Sequence, residues 1–126
     1  MCSSGCAKFK KRKLSASDDG RGIKVAATAT PGTLLHTATD SRAANEWDEV
    51  FLRAVNTSGA AVKLTIEWGG VASPDDQIEV TIPPEGGFIE VVDGHVLQNA
   101  KAVRAFAATA NAIIMHGFVN RYDQTQ

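Results

Sequence analysis

The 126-residue chain weighs 13.3 kDa, with 44% hydrophobic and 21% charged residues, enough to bury one core without a disulfide or a metal. No apolar run approaches the roughly 20 residues of a membrane-spanning helix, which excludes such a helix. The net charge of −1 hides an asymmetry: residues 1–22 carry six basic side chains against Asp18 and Asp19, while residues 23–126 carry seven basic against twelve acidic.

That asymmetry divides the chain into a basic, extended N-terminal arm (1–22) and a body (23–126). A basic arm on an acidic body predicts a partner for the arm, either an anionic polymer or an acidic protein surface. Met1–Ser17 lacks the apolar stretch of about 7–15 residues that a secretory signal needs. Cys2 and Cys6 supply two thiols, half of a tetrahedral zinc site, with no further cysteine to complete it. They read as free thiols in a reducing cytoplasm, and no metal or cofactor is expected. The run Lys8, Phe9, Lys10, Lys11, Arg12, Lys13 is the candidate partner-binding segment. Its cations would neutralise phosphates and Phe9 could stack on a base. The body shows no basic face with interleaved aromatics, so an acidic protein surface is favoured over nucleic acid.

After Gly20-Arg21-Gly22 the chain breaks into short strand-like runs. Ile23–Thr30 is small and β-branched, Pro31-Gly32 forces a turn, and Thr33–Thr37 is a short strand. Asp40–Glu46 is a polar loop. Asp48–Asn56 is a strand, and Ala61–Trp68 alternates cleanly, with Val62, Leu64, Ile66 and Trp68 on one side and Lys63, Thr65 and Glu67 on the other. The Asn-Thr-Ser-Gly between them predicts a hairpin. Gln77–Ile82 alternates again, and Pro83–Gly87 is the strongest turn in the chain. Phe88–Val92 and His95–Gln98 read as two strands joined through Asp93-Gly94. Val103–Thr109 reads as a strand despite its alanines, since it lies between turn-like Asn99–Lys101 and Asn111. Ala112–Tyr122 is apolar on both faces, which predicts either a central strand or one face buried against another subunit. Ile114, Met115 and Phe118 are the candidate self-association residues. Many short strands with regular turns predict an all-β, antiparallel β-sandwich, a single jelly roll of about eight strands.

Chemistry is not signalled. The three histidines stand apart without metal-ligand spacing, the adjacent carboxylates Asp18-Asp19 and Asp75-Asp76 would point away from each other in extended chain, and no phosphate-binding or nucleophile-elbow motif occurs. No enzyme is expected. Trp47, Trp68 and Tyr122 could form an aromatic platform for sugar, which keeps a carbohydrate-binding module open. Asn56-Thr57-Ser58 matches a glycosylation sequon and reads as a turn.

The run Thr30–Ala38 followed by Glu49–Ser58, together with Val62–Gly70 and Val103–Asn111, resembles small virion proteins of tailed bacteriophages. The resemblance covers about residues 24–121 and leaves out the arm. It implies a β-sandwich or jelly-roll structural protein located in the virion and assembled in the host cytoplasm. The first expectation is a capsid cement (decoration) protein, a homo-oligomer, trimer favoured, whose partners are the major capsid protein or neighbouring virion subunits. A head–tail connector or tail component is the alternative. The resemblance carries over no active-site residue.

Overall fold

The computed structural model describes residues 8–40 and 46–123. Cys2, Cys6 and most of the expected Asp40–Glu46 loop lie outside the described residues. The described chain holds nine strands and no helix: β1 (Lys8–Lys13), β2 (Ile23–Lys24), β3 (Thr33–Thr37), β4 (Glu46–Asn56), β5 (Val62–Trp68), β6 (Gln77–Ile82), β7 (Ile89–Leu97), β8 (Ala102–Ala107) and β9 (Ile113–Asp123).

These strands form two antiparallel sheets packed face to face. One runs β1-β9-β4-β7, with β2 also paired to β9, and the other runs β3-β8-β5-β6. β1 leaves the edge of β9 at Lys13, opposite Phe118, and β2 rejoins it at Ile23, opposite Met115. Counted as one interrupted edge strand, β1 and β2 bring the total to eight. From there the chain changes sheet at almost every step, which is the jelly roll expected from the sequence.

The alternation of the strands explains the layers. In β5, Val62, Leu64 and Ile66 are buried and Lys63 is exposed; in β8, Val103, Ala105 and Ala107 point the same way into the core. Each buried Val, Leu or Ile among them contributes about 1.5–3 kcal/mol, and each Ala only a fraction of that. The buried apolar core is built from Leu, Ile, Val, Ala and Met, without an aromatic residue.

Three local expectations are corrected. First, β4 and β5 form no hairpin, because they belong to different sheets. Both edges of β4 are occupied, by β9 over eleven register pairs and by β7, so the turn after Asn56 becomes an arch between sheets. Buried Asn56 organises that arch, donating through Nδ2 to the carbonyls of Ala60 (2.8 Å) and Ile82 (2.9 Å) and accepting from the Ser58 N–H. Second, Asp93-Gly94 is not a turn. β7 runs through it, and the register against β4 shifts twice, between Val50 and Phe51 and between Leu52 and Arg53. Gly94 takes up the first of these shifts with φ +80, a conformation that favours glycine, and Val91 is the residue skipped at the second. Third, Ile23–Thr30 is strand only at Ile23–Lys24; the rest wraps the sandwich. Glu67, fully buried on β5, holds this wrap by accepting from the Gly32 N–H (2.6 Å) and the Thr30 hydroxyl (2.5 Å). Gly32 lies so close to β8 that a Cβ there would meet the Ala105 backbone at 2.5 Å.

Candidate interaction surface

The segment read as an arm is, from Lys8 onward, the edge strand β1 of this chain's own sheet, paired with β9 from Lys8↔Asp123 to Lys13↔Phe118. After it, Leu14 is buried in the core. The excursion from Leu14 to Gly22 crosses to β3: Ala16 N–H donates to the Leu35 carbonyl at 3.2 Å, and Thr37 N–H to Ser15 Oγ at 2.7 Å.

Ser15 N–H also donates to His36 Nδ1 at 3.0 Å. Nδ1 is therefore the acceptor, and Nε2–H donates to Asp48 Oδ2 at 2.7 Å. Asp48 in turn receives Arg121 through Nε (2.7 Å) and Nη2 (3.0 Å), and the Thr39 N–H at 3.1 Å. Burial pushes the Asp48 carboxyl up, but the hydrogen bonds from His36 and Arg121 and the guanidinium charge outweigh it, holding its pKa at about 2. The same pairing raises Arg121 above its ordinary value. This network ties the excursion, β3, β4 and β9 together at one end of the sandwich. It was invisible in sequence, where His36 stands alone.

Parity along the strands sets the outer face of the five-stranded sheet. On β9 the inward residues are Ile113, Met115 and Val119, all fully buried, and the outward ones are Ile114, His116, Phe118, Asn120 and Tyr122. Of the candidate self-association residues, Ile114 and Phe118 thus stand on this outer face. Met115 does not, because period-two alternation sends it into the core. Of the basic run, Phe9, Lys11 and Lys13 share the register of outward β9 residues, whereas Lys10 and Arg12 lie opposite inward Arg121 and Val119. All five residues from Phe9 to Lys13 are exposed. Lys8 is placed by its backbone alone.

Six of the chain's eight aromatic residues stand on this face. Phe9, Tyr122 and Trp47 form one stacked row across β1, β9 and β4, with centroids 5.3 and 6.2 Å apart. Phe51 and Phe118 stack at 4.7 Å with Lys11 Nζ 4.7 Å from the Phe118 centroid, a cation–π contact. Phe88 meets His116 edge-on at 4.9 Å. Burial, then the Glu49 carboxylate beside it, raises the Tyr122 phenol. Among the described residues, three of the four exposed large hydrophobics, Phe9, Phe88 and Val96, belong to this face. Together these side chains make an apolar patch on the outer surface of the five-stranded sheet.

The rings are shelved against one another, so Tyr122 has Phe9 on one side and Trp47 on the other. A sugar platform needs open ring faces, which this row lacks at Tyr122, and Trp68 packs against the core and His95. The depression beside the row, about 290 Å³, is lined by Phe9, Lys10, Arg12, Glu46, Arg121 and Asp123. Among the described residues, no group of three or more His, Cys, Asp or Glu is gathered to hold a metal ion.

No family model matches the chain, and no curated protein matches it in sequence. Among solved structures, it is similar to a subunit from the Bacillus endospore appendages, described as a novel family of disulfide-linked pili, at 15% identity and a TM-score of 0.44, over 99% of this chain and 95% of that one. A likeness at that level carries no argument about what this chain does.

Proposed function

We propose that this protein is a structural component of a virus particle, a cement protein that docks on the head of a tailed phage. The observation that carries the reading is the allocation of aromatic residues: the core does without them, and six are spent on one solvent-facing sheet. Aromatic residues anchor protein interfaces, and a rigid jelly roll presents them without the entropy cost of ordering a loop. The resemblance in sequence supports the same role. The basic edge β1 adds a docking margin for an acidic neighbour, and repetition over a lattice multiplies weak contacts by avidity.

Counting copies tests this. Particles carrying the chain are purified on a density gradient and its amount is measured against the major shell protein. Copies spread over the whole shell support the cement role; a few copies at one vertex move the assignment to the neck or tail. Absence from particles removes the virion reading. The contribution of the basic edge is read by replacing Lys10, Lys11 and Arg12 with Gln, which should lower occupancy. Truncating residues 2–22 would not serve, because it removes Leu14 from the core.

A further inference from the structure

The outer face of the five-stranded sheet carries a charge pattern that fits one partner, and we propose that this partner is a second copy of the chain, packed face to face about a two-fold axis parallel to the strands. The proposal does not depend on the virion reading; in the dimer the second copy covers this face, and the exposed β1 side chains of the opposite register, Lys10 and Arg12, remain for the particle. Its basis is one row of residues running straight across the sheet. Lys13 on β1 is opposite Phe118 on β9, Phe118 is opposite Phe51 on β4, and Phe51 is opposite Asp93 on β7. The row therefore reads cation, ring, ring, anion. A two-fold axis along the strands reverses the order of strands in the facing copy. Lys13 then lies over the second copy's Asp93, the phenyl rings meet phenyl rings, and Asp93 lies over the second copy's Lys13. The same patch serves both copies, as an isologous interface requires.

Position strengthens the case. β9 and β4 are the two middle strands of the four, so the axis runs over their seam, and Phe51 and Phe118, the middle residues of these eleven-residue strands, put aromatics at the centre of the face, where binding energy concentrates. Gly94 makes the row possible, since a Cβ there would approach the Phe51 ring to 3.2 Å. Charge continues the pattern at the margins. Lys11, Lys13 and Lys24 occupy the β1–β2 edge of the face, and Glu90 and Asp93 the β7 edge. Both Lys13 and Asp93 are exposed and make no ion pair among the described residues.

Size is sufficient as well. Four strands wide and eleven residues long, the face has a footprint of roughly 700 Å² at ordinary strand spacing, close to the ~800 Å² per partner of a standard interface. The sheet twist that turns packed sheets by about 30° displaces the row ends by a few ångströms, within reach of a lysine side chain. The family resemblance favours a trimer; this row is self-complementary under a two-fold instead.

The test is sedimentation of the full chain over a concentration series, with circular dichroism to confirm that the variants keep the wild-type fold. Wild type should sediment as a dimer. Asp93→Lys or Lys13→Asp should each weaken the dimer by at least about tenfold, because each converts both symmetric pairs into like-charge contacts. Combining Lys13→Asp with Asp93→Lys restores opposite charges across the axis and should restore the dimer. A wild-type monomer at every concentration, a trimer or larger closed oligomer, or a dimer indifferent to the single reversals overturns the proposal. A double variant no tighter than the singles overturns it too. Particle occupancy is a separate readout, so failure here leaves the cement reading standing.

Discussion

The two outward faces of the sandwich are built from opposite materials. On the four-stranded sheet, the exposed side carries Lys63, Glu79 and Thr81, with a 3.0 Å ion pair between the first two. Of its buried polar residues, Glu67 is spent on holding the Thr30–Gly32 wrap. On the five-stranded sheet, the exposed side carries shelved aromatic rings. Both sheets present aliphatic side chains inward, so the fold itself does not demand the difference. A sheet face needs only to be polar to meet water. Under the reading proposed above, the aromatic face serves a contact between molecules.

The first way to sharpen that contrast is to damage the interior and leave both faces intact. Asp48→Ala removes the carboxylate that joins His36, Arg121 and the Thr39 N–H, stranding groups that lost their water on folding. Chemical unfolding should show a loss of about 3–5 kcal/mol, the largest effect of the series, with the aromatic face unchanged.

Acid strikes the same place more gently. The folded pKa of Asp48, about 2, lies below its ordinary value of 3.8. The stabilisation is therefore fully present above the ordinary carboxylate range and is lost as pH falls through the folded value. Between about pH 5 and pH 2 this group alone should remove about 2 kcal/mol, and the loss should be missing in Asp48→Ala.

Changes on the face should do the reverse. Phe9 is 58% exposed and Phe88 60%, and each makes one ring contact, so Phe9→Ser and Phe88→Ser should each shift unfolding by no more than about 1.5 kcal/mol. The same variants should reduce self-association or particle binding. A large loss of stability instead would show that the rings support the fold rather than a contact.

Much of the fold was legible because period-two alternation and turn residues are local signals. β5, β6 and β8 stand where Ala61–Trp68, Gln77–Ile82 and Val103–Thr109 placed them, to within two residues at each end. What misled was partner choice, which is not local. Asn-Thr-Ser-Gly reads alike in a hairpin and in an arch between sheets, and only the eleven-pair register of β4 with β9 decides. Asp93-Gly94 failed similarly, since glycine with positive φ serves a bulge as well as a turn. The candidate surface was half visible. The two-sided apolarity of residues 112–122 pointed to an outward patch, and parity then separated Ile114 and Phe118 from Met115. Nothing in sequence could show that Phe9 and Lys11 join the same patch, because that depends on β1 lying beside β9.

The place of β9 bears on how the molecule comes into being. This last strand is the shared neighbour of β1, β2 and β4, so residues 8–24 emerge from the ribosome about a hundred residues before their partner. The five-stranded sheet cannot grow in the order of synthesis. Its closure waits for residues 113–123 to meet residues 8–24, and that distance along the chain slows folding. Until then the cations of β1 keep a waiting edge from pairing with other chains.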